Sequence, residues 1–264
     1  MRTLAMTLLV ALAASSAAAQ VPDTVFIEEL TWTEVRDAIR AGKTTVILAT
    51  GGTEQNGPHM VLGKHNFIIK YTAEQIARRL GNALVAPVVT YVPEGNLDPP
   101  SGHMRYPGAI TLPNEYFTKL LEFAGRSFRV NGFRDIVLIG DSGGNQNGMK
   151  AVAEMLNREW AGTGVRVHFV PEYYSGTGYR EWLIAEGEKK EDIGTHAGIT
   201  DTSQLMAIHP QHVRKDKLAD RGGFEGSGVS GNPTRASVAY GKKGLELKIE
   251  TTVRRLKEMM AARP

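Results

Sequence analysis

Four strand-like runs, residues 44–50, 83–89, 135–139 and 165–170, are separated by stretches with helical spacing. Residues 45–49 and 135–139 are apolar at nearly every position, as in a strand covered on both faces. Strands that alternate with helices pair in parallel, because each crossover returns the chain to the same end of the sheet. The helical stretches are 31–42, 66–80, 114–130 and 146–160, then 179–186, 202–207 and an amphipathic terminal helix at 242–260. Thr31 or Thr33 is placed to cap the first of them. The expected architecture is a mostly parallel sheet with helices over it. The 264 residues show no internal repeat and no linker-like stretch, so residues 20–264 read as one domain.

The amino terminus carries a different signal. Arg2 supplies a positive charge, residues 4–14 form an apolar run too short to span a bilayer, and Ala17-Ala18-Ala19 fits the small-x-small cleavage pattern. Residues 1–19 are therefore expected to be a secretory signal peptide cut after Ala19. The mature chain would be soluble in a bacterial periplasm or outside the cell, with no membrane contact. It has no cysteine, so neither a disulfide nor a thiolate contributes. A hydrophobic content of 42% with 22% charged residues describes an ordinary globular core. The formal charge of +3 is spread along the chain and gives no nucleic-acid surface.

Chemistry-bearing residues collect in four loops. The first, Gly51-Gly52-Thr53-Glu54-Gln55-Asn56-Gly57-Pro58-His59, follows a buried strand and leads to His65. The second is the Pro- and Gly-rich excursion 91–108, with His103 and Arg105; the third is 140–145, with Asp141 and Ser142; the fourth holds His196 and Asp201. Loops after successive parallel strands meet at one sheet edge, which would gather Glu54, His59, His65, His103, Asp141, His196 and Asp201 in one cleft. Each residue also has a plainer role. Asp201 is placed to cap the helix near Thr202, and Asp141 to hold its own turn. Lys64 is expected to face solvent. His168, His209 and His212 are read as structural.

Several ordered motifs resemble the creatininase family of metal-dependent amidohydrolases. They are Gly-Thr-Glu54-Gln-x-Gly-Pro-His59; His103 with Tyr106-Pro107-Gly108-x-Ile110-x-Leu112; Gly143-Gly144-Asn145; His196-Ala197-Gly198 with Asp201-Thr202-Ser203; and Gly228-Val229-Ser230-Gly231-Asn232-Pro233. The resemblance implies a three-layer α/β/α fold, a homo-oligomer that is often a hexamer, and hydrolysis of a C–N bond in a small cyclic amide or related molecule. This chain departs from the family where metal is held. Asn56 replaces a His, His65 replaces an Asp, and Ser142 replaces a His, so Glu54 alone remains of those ligands.

Three readings follow. In the first, one divalent ion (Zn or Mn) is held by Glu54, His65 and Asp141, and its bound water attacks an amide carbonyl. His103, His196 and Asp201 then move protons or stabilise the oxyanion. In the second the metal is gone and Glu54, His65, His103 and Asp141 form an acid–base set, with Ser142 as a nucleophile served by His65 in one variant. In the third the chain binds a small ligand without turnover. Asn56, His59, Arg105, Trp182 and Tyr174 are the candidate substrate contacts.

Overall fold

The computed structural model describes residues 22–218 and 224–262. The expected signal peptide, 1–19, and residues 219–223 of the glycine-rich loop at 216–233 lie outside them. The elements run α1 (Trp32–Arg40), β1 (Thr45–Thr50), α2 (Lys64–Leu80), β2 (Ala83–Val85), α3 (Asn114–Val130), β3 (Asp135–Gly140), α4 (Asn145–Glu159), β4 (Arg166–Phe169), α5 (Tyr179–Ala185), α6 (Lys190–Ile193), α7 (Ile199–Ile208), α8 (Phe224–Ser227) and α9 (Val238–Ala261). Thr31 caps α1 in a reciprocal box with Glu34, and Ser237 caps α9 through the Tyr240 N–H.

The four strands pair in parallel in the order β2-β1-β3-β4. Alternate residues of each strand enter opposite layers. Ile47, Ala49, Val137 and Ile139 pack with Ile69 and Ile76 of α2 and Ile249 of α9. Val46, Leu48, Ile136 and Leu138 pack with Phe117 and Leu121 of α3 and Met149 of α4. The result is the three-layer α/β/α arrangement that the family resemblance implied.

Two departures from the sequence reading have local causes. The run at 83–89 pairs regularly only over Ala83–Val85. Ala86 and Val89 still donate to Ile47 and Ala49 of β1, but Pro87 between them has no N–H and breaks the ladder. Helix α2 starts at Lys64, two residues early, and so places Lys64 and His65 in its first turn.

The chain runs from β2 past β1 to β3, so the carboxyl ends of β1 and β3 flank the switch point of the sheet. Asn145 fastens the loops there. Its amide donates to the Thr50 carbonyl (3.1 Å), the Thr50 hydroxyl (2.9 Å) and the Gly51 carbonyl (2.8 Å).

Candidate active site

Above this switch point lies a cavity of about 630 Å³, walled by Glu54, Lys64, His65, Glu94, His103 and His196 among others. A larger cleft of about 880 Å³ lies around Trp160, Gly162 and Arg166, beside the amino-terminal end of β4, away from these groups. The side chains mark the smaller cavity as the candidate site.

Glu54 is the hub, with 2% of its surface exposed. Its Oε1 accepts from His65 Nε2 at 2.8 Å and lies 3.6 Å from Lys64 Nζ; its Oε2 lies 3.2 Å from His103 Nε2. Burial alone would raise the Glu54 pKa, but His65 and Lys64 outweigh it and hold the carboxyl well below the usual range. The loop that carries Glu54 is closed from within. The Asn56 amide donates to the Glu54 carbonyl at 3.0 Å and reaches those of Val61 and Leu62 at 3.3 and 3.4 Å. Gly52 leaves room for the Glu94 carboxyl, since a Cβ there would displace Glu94 Oε1.

His65 joins two carboxylates. Its Nδ1 lies 2.7 Å from Asp141 Oδ2 while its Nε2 bonds Glu54. Burial and Lys64 push its pKa down, but Glu54 and the Asp141 hydrogen bond more than offset them and raise it to about 9. At neutral pH it is an imidazolium that donates from both nitrogens. Behind it, Asp141 accepts from Lys248 of α9 and from the Tyr173 hydroxyl at 3.2 Å. Burial opposes the Asp141 charge; Lys248 and His65 overcome it and lower the pKa.

The groups on the opposite wall are neutral. Burial, then Lys64, push His196 down to about 4, and burial also lowers His103. His196 Nε2 lies 2.9 Å from the Gln55 carbonyl, so the bonding assigns its proton to Nε2 and leaves Nδ1 as the donor atom. That Nδ1 is 3.7 Å from Glu54 Oε1. Burial, and then the neighbouring Glu54 carboxylate, push Glu94 up to about 9, so it keeps its proton at neutral pH.

These contacts revise the grouping read from the sequence. Glu54, His65 and Asp141 do come together, but as a hydrogen-bonded chain, and both His65 nitrogens are engaged. Among the described residues, the donor atoms that converge to within 4.8 Å of one another belong to Glu54, His103 and His196. Neighbouring ligands around a tetrahedral Zn stand roughly 3.3 Å apart. The 3.2 and 3.7 Å separations, with one carboxylate and two neutral imidazoles, fit a single ion of that kind.

Of the remaining expected residues, Ser142, Tyr174 and Asp201 line the cavity. Asp201 accepts the Ala197 N–H at 2.8 Å and lies 3.4 Å from Lys64 Nζ. His65 is no base for Ser142, since both its nitrogens serve carboxylates. Four expected substrate contacts are placed elsewhere. Asn56 is turned into its own loop, and His59 is fully buried against the Thr202 hydroxyl at 2.9 Å. Arg105 pairs with Glu225 on the surface, and Trp182 packs against Tyr179 and Tyr240. His168 forms a buried pair with Asp135, as expected of a structural residue.

Sequence reasoning missed Lys64, Glu94 and Lys248. Lys64 is fully buried rather than solvated. Lys248 did leave a signal, because it shares the inward stripe of α9 with Leu245, Ile249 and Thr252. Glu94 left none within the excursion 91–108.

A parallel α/β/α sheet with carboxylates and imidazoles gathered at its switch point defines a class of site suited to hydrolytic chemistry. The chain belongs to the creatininase family: the family model for creatinine amidohydrolase matches residues 28–256. It is 28% identical over 203 residues to a creatinine amidohydrolase of Pseudomonas putida, covering 74% of this chain and 76% of the relative. It is 26% identical over 242 residues to a mycofactocin precursor peptide peptidase of Mycobacterium tuberculosis (strain CDC 1551 / Oshkosh), covering 82% and 86%. A solved creatinine amidohydrolase superposes with a TM-score of 0.77 at 23% identity, over 90% of this chain and 98% of the other. A creatininase described as its Mn form superposes at 0.76, with 24% identity and 89% and 98% coverage. These structural likenesses establish the fold.

Proposed function

We propose that this protein hydrolyses a C–N bond in a small cyclic amide or related compound within the 630 Å³ cavity. The observation that carries this reading is the convergence of the Glu54, His103 and His196 donor atoms in a cavity that the buried Glu94 also lines. The names of two relatives, an amidohydrolase and a peptidase, denote C–N hydrolysis and support it. Glu54, His103 and His196 would hold one Zn or Mn, which when bound supplies Lewis-acid activation of water. The chain's own groups do the rest. His65 fixes the Glu54 carboxylate from one side and keeps it ionised. Glu94 carries a proton at the cavity wall, where it is placed to protonate a leaving nitrogen. The excursion 91–108 brings both Glu94 and His103 into the cavity wall.

The test is metal content per subunit, in the wild type and in Glu54→Ala and His196→Ala, with a screen of lactams and cyclic ureas. Zn or Mn near one per subunit, lost in both variants, is the expected result. No metal after incubation with Zn or Mn overturns the ligand set. One observation favours a metal-free variant of the same hydrolysis: the cations Lys64, His65 and Lys248 already pair with the anions Glu54, Asp141 and Asp201. Turnover that survives chelation would select it.

We also propose secretion to the periplasm or beyond, supported by the charge, apolar run and cleavage pattern of residues 1–19. A homo-oligomer is proposed too. Tyr116, Phe123 and Val130 of α3 are 58%, 63% and 86% exposed, an apolar face that a second copy would cover.

A further inference from the structure

The three cations near the cavity are not equivalent. His65 spends both nitrogens on carboxylates, and Lys248 is bonded to Asp141. Lys64 is fully buried, yet its Nζ has no hydrogen-bond partner. Asp201 and Glu54 stand 3.4 and 3.6 Å away, beyond the usual hydrogen-bond length; they balance its charge, with Asp201 the nearer acceptor, and leave donors of the ammonium unused. A buried ammonium with unused donors is costly unless an acceptor arrives. Lys64 lines the cavity, from which an acceptor can reach it. Lys64 is also the first residue of α2, and the helix dipole adds partial positive charge at the same place.

We propose that Lys64 is a catalytic residue that donates to the carbonyl oxygen of the scissile amide and holds it as it becomes an oxyanion. This rests on the hydrolytic reading above. Lys64 Nζ is near Glu54 Oε1 and His103 Nε2 is near Oε2, so the two groups approach different oxygens of the same carboxylate. The oxygen of water bonds to the carbonyl carbon, and the C=O π pair moves onto the oxygen held by Lys64. When that pair returns, the C–N bond breaks, Glu94 gives its proton to the nitrogen, one proton of the water restores Glu94 and the other ends on the nitrogen, so that a carboxylate and an ammonium group remain. Lys64 keeps its own protons throughout. The substrate class this selects has a carbonyl oxygen free of bulky neighbours, since Asp201 and Glu54 flank the ammonium.

Formate, the smallest carboxylate product, is the probe. Its binding to the protein as purified is measured by calorimetry for wild type, Lys64→Gln, Lys64→Arg and His196→Ala, with circular dichroism for folding. Lys64→Gln is expected to weaken binding at least about tenfold, and Lys64→Arg less. His196→Ala keeps it, because the contact does not need the ion. In wild-type protein the ¹⁵N signal of the Lys64 ammonium, identified by its absence in Lys64→Arg or by its protection from solvent exchange, shifts and saturates with formate. That measurement decides the matter if the variants fail to fold. Equal binding in Lys64→Gln, loss only in His196→Ala, or an unmoved ammonium signal overturns the proposal. With any substrate from the lactam and urea screen, Lys64→Gln lowers kcat by about 100-fold or more with KM little changed. A barren screen would reject the hydrolytic reading while the formate result still decides whether Lys64 binds an oxygen ligand.

Discussion

The two walls of the cavity share Glu54 and are otherwise opposites. On the α2 side, Glu54, His65, Asp141 and Lys248 form a closed chain of ion pairs in which each polar atom of His65 is satisfied. On the loop side, His103 and His196 are neutral, and their nitrogens converge on the same carboxylate. One wall is arranged as a fixed charge network and the other as a donor set. Adjacent charge decides the difference. Burial, and then Lys64, lower both imidazoles; for His65 the Glu54 charge and the Asp141 hydrogen bond outweigh them, whereas the His196 Nε2 meets the Gln55 carbonyl.

The contrast predicts unequal costs. Glu54→Ala is expected to have the largest effect, because it takes from both Lys64 and His65 one of their two carboxylate neighbours in the interior. Breaking a buried pair in this way costs about 3–5 kcal/mol, measurable by urea unfolding. His196→Ala removes a partly exposed ring from the donor wall and should cost about 1 kcal/mol or less while abolishing metal binding. If the two variants were equally destabilised, the two walls would not differ in kind.

A smaller effect is expected from pH. The His65 pKa is raised to about 9 in the folded protein, above its ordinary value of 6.5. Its contribution is therefore fully present below about pH 6.5 and is lost as pH rises through about 9, amounting to about 3 kcal/mol at most. Glu94, pushed up to about 9, holds its proton past its unfolded value and also makes stability fall with rising pH. The measurement belongs in Glu94→Gln, where His65 acts alone. A flat unfolding profile between pH 6.5 and 9 in that variant would mean that His65 is not held as an imidazolium. The smallest effect is reserved for Arg105→Ala. Its pair with Glu225 is on the surface, so stability should change by about 0.5 kcal/mol or less and turnover not at all. A marked rise in KM would instead return Arg105 to the cavity as a substrate contact.

Much of the layered fold was legible because burial in a parallel sheet leaves continuous apolar runs, and amphipathic helices leave a 3.6-residue period. The strand at 83–89 was drawn too long for a local reason, Pro87. The site was legible as a neighbourhood. Of the residues expected in one cleft, Glu54, His65, His103, Asp141, His196 and Asp201 line one cavity at the carboxyl edge, while His59 is buried against Thr202 instead. Their pairing was not legible. His65 and Asp141 are 76 positions apart, and Lys248 reaches Asp141 across 107. No local pattern records which nitrogen meets which oxygen.

Periodicity, glycine turns and family motifs suffice for the layers, the strand order's open edge and the residues that crowd it, since these follow from local propensity and burial. Whether Lys64 is solvated or buried, whether His65 is a ligand or a cation, and whether Arg105 and Trp182 reach the cavity depend on contacts between distant segments. Charge in a low-dielectric interior is set by neighbours within a few ångströms. Those neighbours exist only once α2, α9 and the four loops have packed together.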